Sequence, residues 1–202
     1  MTRLGLYGGS FDPIHRGHIE PVLAAVEQLE LDRVLYLPTA NPPHKTERRF
    51  APAWRRFAMA EIALLVHPRL QVCDFELISG PSYTIDTVEH YARLEPAAEL
   101  HLVVGADSLA ALDRWHRWQD LFDRAQIAVL RRPGWSRQEV LAAVSPELLT
   151  RIEGSAVCWI DNPLFEVSAT DIRQRLTREE VVPADWTPEA VLHYARKYCL
   201  YR

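Results

Sequence analysis

The chain has 202 residues, 48% of them hydrophobic, which supplies apolar material for one well-buried α/β domain and too little for two. Its formal charge of −4 excludes a general nucleic-acid binder, whose affinity depends on many Lys and Arg facing the phosphate backbone, so any phosphate ligand must be held locally. Three cysteines, Cys73, Cys158 and Cys199, are odd in number and widely spaced, against both a disulfide framework and a structural zinc site.

The first predicted strand, residues 3–7, breaks into Gly8-Gly9-Ser10-Phe11-Asp12-Pro13-Ile14-His15-Arg16-Gly17-His18. Gly8 and Gly9 clear side chains from a place where a ligand can approach the backbone. The helix start that follows offers unpaired N–H groups and a positive dipole end to an anion. That combination predicts a phosphate site. His15 and His18 can face one point with bare backbone between them at Gly17. As His-x-x-His they could also be two metal ligands, but no cysteine or carboxylate follows at a zinc-motif spacing.

Ile19, Val22, Leu23, Val26 and Leu29 recur at helical spacing and predict a helix from about His18, with Pro21 in its first turn or so. A strand at 33–37 runs into Asn41-Pro42-Pro43-His44-Lys45. The prolines make this a rigid turn, and they do not explain His44 and Lys45, which a phosphate enzyme could swing over its substrates. Helices at 53–66, 84–94 and 136–144 then alternate with strands at 70–75, 100–104, 126–130 and 156–160. Pro81-Ser82-Tyr83-Thr84-Ile85-Asp86-Thr87 opens one helix. Gly105-Ala106-Asp107-Ser108 follows the fourth strand, ahead of Trp115-His116-Arg117-Trp118. Ser168-Ala169-Thr170-Asp171-Ile172-Arg173 opens a late, capped helix whose arginine offers planar, permanently charged donors suited to phosphate oxygens.

The alternation predicts an α/β fold, a Rossmann-like doubly wound parallel sheet, as one domain over 1–202 with a small C-terminal helical portion from about 168. Ligands of such sheets sit outside the carboxyl ends of the strands where strand order reverses, and four of the motif loops fall at that edge. The Gly-x-Gly-x-x-Gly fingerprint and the Walker loop are both missing, which disfavours a dehydrogenase or a P-loop enzyme. No run of about eighteen apolar residues occurs, and the chain enters a strand directly, so the expectation is a soluble cytoplasmic protein with no membrane partner.

Residues 8–18 resemble the first signature of the nucleotidylyltransferase superfamily, of the His-x-Gly-His type. Residues 167–173 resemble its second, commonly Ile-Ser-Ser-Thr-x-Ile-Arg, with Val167 and Ala169 replacing Ile and Ser. The 81–87 segment, Gly105-x-Asp107-Ser108 with Trp115-His116-Arg117-Trp118, and the ending at 198–202 are similar to the bacterial nicotinate mononucleotide adenylyltransferases. The resemblance covers nearly the whole chain and is weakest at about 134–155. It implies an enzyme that joins ATP, carrying Mg²⁺, to nicotinate mononucleotide, giving deamido-NAD and pyrophosphate, with no metal ligands of the protein's own. It further implies His15, His18, Lys45 and Arg173 as catalytic residues, and Gly8, Gly9, Ser10, Phe11, Gly17, Gly105, Asp107, Ser168 and Thr170 around ATP. Asp12, His44, Thr84, Trp115 and His116 are implied around nicotinate mononucleotide, with the Trp115 indole stacked on the pyridine ring. Two alternatives stay open: a phosphopantetheine adenylyltransferase, which shares the first signature, and a nucleotide-binding regulator that kept the pocket without the chemistry.

Overall fold

Six strands, β1 (Arg3–Gly9), β2 (Arg33–Pro38), β3 (Leu70–Val72), β4 (Glu99–Gly105), β5 (Gln126–Leu130) and β6 (Cys158–Ile160), form one parallel sheet of order β3-β2-β1-β4-β5-β6. The computed structural model describes residues 1–40, 50–78, 83–155 and 157–202. Leu6 of β1 lies opposite Leu35 of β2 and Leu102 of β4, so the register brings the most apolar segments together at the centre.

Period-two alternation sends successive strand residues to opposite faces, and both faces are covered, which is why the strands read as continuous apolar runs. On one face Tyr7, Val34, Tyr36, Ala128 and Leu130 meet α1 (Arg16–Gln28), α2 (Ala53–Leu64), α9 (Ala169–Thr177) and α10 (Glu189–Lys197). On the other, Leu4, Leu6, Leu35, Leu37, Ile127 and Val129 meet α4 (Thr84–Leu94), α6 (Trp118–Arg124) and α8 (Pro146–Gly154). Short helices α3 (Phe75–Ile78) and α5 (Ala106–Leu109), a 3-10 turn at Leu112–Arg114 and α7 (Arg137–Ala143) complete the described elements. The doubly wound parallel sheet expected from the sequence is present.

Several boundaries differ from the sequence expectation. The strand expected over 70–75 stops at Val72, because the Asp74 carbonyl accepts from the N–H groups of Leu77 and Ile78 (2.8 and 3.1 Å) and starts α3. Phe75 then leaves the sheet line to stack on His90, with ring centroids 4.0 Å apart. The helix expected from about His18 begins at Arg16, so Pro21 is its sixth residue and sits inside it, beyond the first turn. Strand β6 begins at Cys158, and Ala156, where that strand was expected to start, lies outside the described residues.

Candidate active site

In this strand order the chain winds outward one way from β1 and the other way from β4, and a crevice opens at their shared carboxyl edge. Gly9 ends β1 and Gly105 ends β4. A Cβ on Gly8 would meet nothing within 4 Å, so space is left above the strand end. Gly105 has no such freedom, since a Cβ there would collide with the Asp107 carboxylate and lie 3.0 Å from Arg132 Nε.

Phe11 adopts a left-handed backbone (φ 44°), which turns its ring into the core against Tyr7 and Tyr36 and edge-on to His18 at 5.3 Å. The ring is buried, so its contribution to the crevice is to back His18. His15 then caps α1 in extended conformation. Its backbone N–H donates to His18 Nδ1 (3.3 Å), and the two imidazoles lie 3.8 Å apart. With Nδ1 accepting, a neutral His18 carries its proton on Nε2, as a donor. His15 is only 4% exposed. Burial, helped by the nearby Arg132 charge, pushes its pKa down to about 3, so it is neutral at pH 7. Its buried Nδ1 has no hydrogen-bond partner among the described residues.

Arg132, two residues past the end of β5, was not anticipated from the sequence. Its guanidinium donates to the Gly17 carbonyl (2.7 Å) and to Tyr7 Oη (2.9 Å), with Asp107 Oδ1 4.0 Å from Nε. The reason lies four residues along the helix. Pro21 has no N–H, so the i−4 carbonyl of Gly17 lacks its helical donor, and Arg132 supplies one. That missing donor, together with a cation just beyond a strand's carboxyl end, was the available sequence signal.

Arg56 was also missed. It is 1% exposed and donates to four backbone carbonyls, Ala51 (3.0 Å), Ser10 (2.6 Å), Thr39 (2.6 Å) and Ala40 (3.1 Å). It thereby ties the turn after β1 to the end of β2. Its position in step with Met59, Ala60 and Ala63 on the apolar face of α2 marked it as an inward cation.

Of the remaining expected residues, Ser168 caps α9, accepting from the Asp171 N–H (3.1 Å) and donating to its carboxylate (2.7 Å). Arg173 donates to Thr170 Oγ1 (3.1 Å) and to the Asp12 carbonyl (2.6 Å), which brings α9 to the signature turn. Asp12 itself is 1% exposed, with its carboxylate turned inward onto Ala51 N–H and Tyr201 Oη. A separate group forms at the start of α4. Thr84 and Trp115 are half-buried, and the Tyr83 ring lies 4.3 Å from that of His116. Trp118 belongs to the core. His44 and Lys45 lie outside the described residues.

The described residues contain no cluster of three or more His, Cys, Asp or Glu able to hold a metal ion, and no helix among them is long and apolar enough to cross a membrane. The arrangement collects a neutral His15, the His18 imidazole and arginines around a glycine-lined strand end and a helix N-terminus, which suits an anion whose charge changes during reaction.

A family model described as cytidylyltransferase-like matches residues 6–175. A Yersinia pestis protein named "Probable nicotinate-nucleotide adenylyltransferase" is 39% identical, the match covering 98% of this chain and 94% of that one. A Neisseria meningitidis protein of the same name is 36% identical over 100% and 99%. Among solved structures, Plasmodium falciparum nicotinic acid mononucleotide adenylyltransferase complexed with NaAD superposes with a TM-score of 0.76 at 19% identity, covering 100% of this chain and 98% of that one, a likeness of fold.

Proposed function

Because the chain belongs to the cytidylyltransferase-like family, we propose that it transfers the AMP moiety of ATP to nicotinate mononucleotide, giving deamido-NAD and pyrophosphate. The observation that carries this reading is the pairing of His15 and His18, 3.8 Å apart at the start of α1, beside the half-buried Arg132.

The acceptor's phosphate oxygen is itself the nucleophile. It attacks the α-phosphorus of ATP in line, and the bond to the bridging oxygen breaks with its electron pair leaving on pyrophosphate. No protein nucleophile is required, so the protein's work is positioning two anions and stabilising charge as it moves. His15 and His18 donate to phosphate oxygens, and a neutral His15 does so without adding a cation to the crowded turn. Arg173 and Lys45 hold the β/γ end, with Ser168 and Thr170 shaping the cradle. Gly8, Gly9, Gly17, Gly105 and Asp107 frame the adenosine and its phosphates. Mg²⁺ carried with ATP would supply charge neutralisation at the phosphates, the described residues offering no metal-holding cluster of their own.

At the acceptor end, Trp115 offers an indole face to the pyridine ring, with Thr84 and His116 toward its carboxylate. The Tyr83–His116 contact supports this grouping by joining the start of α4 to the Trp115 loop. The same aromatic wall favours a pyridine nucleotide over phosphopantetheine, which has no ring to stack. We assign the reaction to the cytoplasm, where ATP is supplied. Incubation with ATP and nicotinate mononucleotide should yield deamido-NAD and pyrophosphate in equal amounts, and ATP binding without either product would overturn the proposal in favour of a regulator.

A further inference from the structure

A late segment of the chain straps the signature turn. The Thr187 hydroxyl donates to the Ile14 carbonyl (2.9 Å), the Arg16 N–H donates to the Trp186 carbonyl (2.7 Å), and Tyr201 Oη donates to Asp12 Oδ1 (2.7 Å). The last of these differs in kind, because Asp12 is also where Arg173 is held. The arginine donates to its carbonyl at 2.6 Å and lies 3.8 Å from Oδ2. Asp12 is therefore a junction between Tyr201 on one side and Arg173 on the other. Tyr201 itself adopts a left-handed backbone (φ 68°), unusual for a bulky residue, and is fixed at both ends: its hydroxyl lies on Asp12, and its carbonyl accepts from Thr177 Oγ1 of α9 at 2.5 Å.

We propose that Tyr201 is a positioning residue: its hydroxyl holds the Asp12 carboxylate and, through Asp12, the Arg173 guanidinium in the place where the arginine meets the triphosphate. The proposal rests on the nucleotidyl-transfer reading above. The Asp12 carboxylate is shut away from water, which favours its protonated form. The charges facing it are Arg173 from α9 and Arg56 from α2, and the Tyr201 hydroxyl and Ala51 N–H hydrogen-bond to it; all four favour the ionised form. Burial is the larger effect and leaves Asp12 above the usual carboxylate range. Losing the Tyr201 donor raises it further, and a protonated Asp12 loses its attraction for Arg173.

The test compares wild type, Tyr201→Phe, Asp12→Asn and the double variant. Phe keeps the ring and removes only the hydroxyl. Binding of a methylene-bridged ATP analogue, measured by calorimetry, should weaken roughly 3–10-fold in Tyr201→Phe, the scale of one ordinary hydrogen bond, because the hydroxyl acts on the arginine only through Asp12. The acid limb of kcat/KM should move to higher pH in that variant. Adding Tyr201→Phe to Asp12→Asn should cost nothing more, because both act through one contact. Wild-type analogue affinity with an unmoved acid limb in Tyr201→Phe, or fully additive losses in the double variant, would overturn the proposal. The analogue-binding arm needs no acceptor, so failure of nicotinate mononucleotide as a substrate would sink the function reading alone.

Discussion

Arg132 donates at 2.7 Å to the carbonyl of Gly17, the acceptor that the Pro21 imide cannot serve. A defect inside α1 thus becomes the tether that holds the glycine between the two histidines, and it brings a permanent cation to their side. Replacing Arg132 by Met leaves the Gly17 carbonyl and Tyr7 hydroxyl without their donor and removes that charge. Turnover should fall roughly 10²-fold, the scale of misplacing groups that orient the substrates, with the fold retained by circular dichroism. The His15 imidazole should also titrate at higher pH in the variant, as read by NMR, because the Arg132 charge helps to hold it down. Unchanged turnover and an unmoved His15 titration would contradict the assignment.

His18 presents Nε2 as its donor, since the His15 N–H occupies its Nδ1. His18→Ala should lower kcat by roughly 10²–10³ with little change in thermal stability. Near-normal turnover in the folded variant rules out the role.

Glu76 gives a pH prediction for stability. It is buried, accepts from Thr87 Oγ1 (3.0 Å), and burial pushes its pKa up to about 7. The folded chain therefore binds more protons than the unfolded chain between the ordinary carboxylate range and about pH 7, so this group's contribution is full at low pH and declines as pH rises through that interval. Glu76→Gln keeps an acceptor for Thr87 without the charge. Urea unfolding should show it about 1–3 kcal/mol more stable than wild type at pH 8 and nearly equal at pH 5. Equal stabilities at both pH values would remove the linkage.

Trp115→Ala should weaken nicotinate mononucleotide by about 1–3 kcal/mol, taking base stacking on aromatic side chains as the guide, and leave the KM for ATP nearly unchanged. An unaltered KM for the pyridine nucleotide excludes stacking.

The sheet was legible because both its faces are covered. Strands such as Gln126–Leu130 then appear as unbroken apolar runs, and the signature turn falls where β1 ends. The strand expected over 70–75 overran because Cys73 and Phe75 keep an alternating apolar pattern beyond Val72, whereas the Asp74 carbonyl diverts the chain into α3 by hydrogen bonds that no periodicity records. Among the site residues, those within contiguous motifs could be read. Arg132, Arg56 and Tyr201 were not placed, because each acts on a backbone carbonyl or carboxylate distant in sequence: Arg132 on Gly17, Arg56 on Ser10, Tyr201 on Asp12; the missing Pro21 donor and the apolar face of α2 hinted at the two arginines without naming their partners. Asp12 shows the reverse. The motif names it, but only the packing reveals that its carboxylate faces inward.

The central claim, that the pocket joins AMP to a pyridine mononucleotide, is tested most directly by pyrophosphate release from ATP with three acceptors: nicotinate mononucleotide, its amide and phosphopantetheine. The account predicts the highest kcat/KM for nicotinate mononucleotide and none for phosphopantetheine. Preferred turnover of phosphopantetheine, or no pyrophosphate with any of the three, would contradict it.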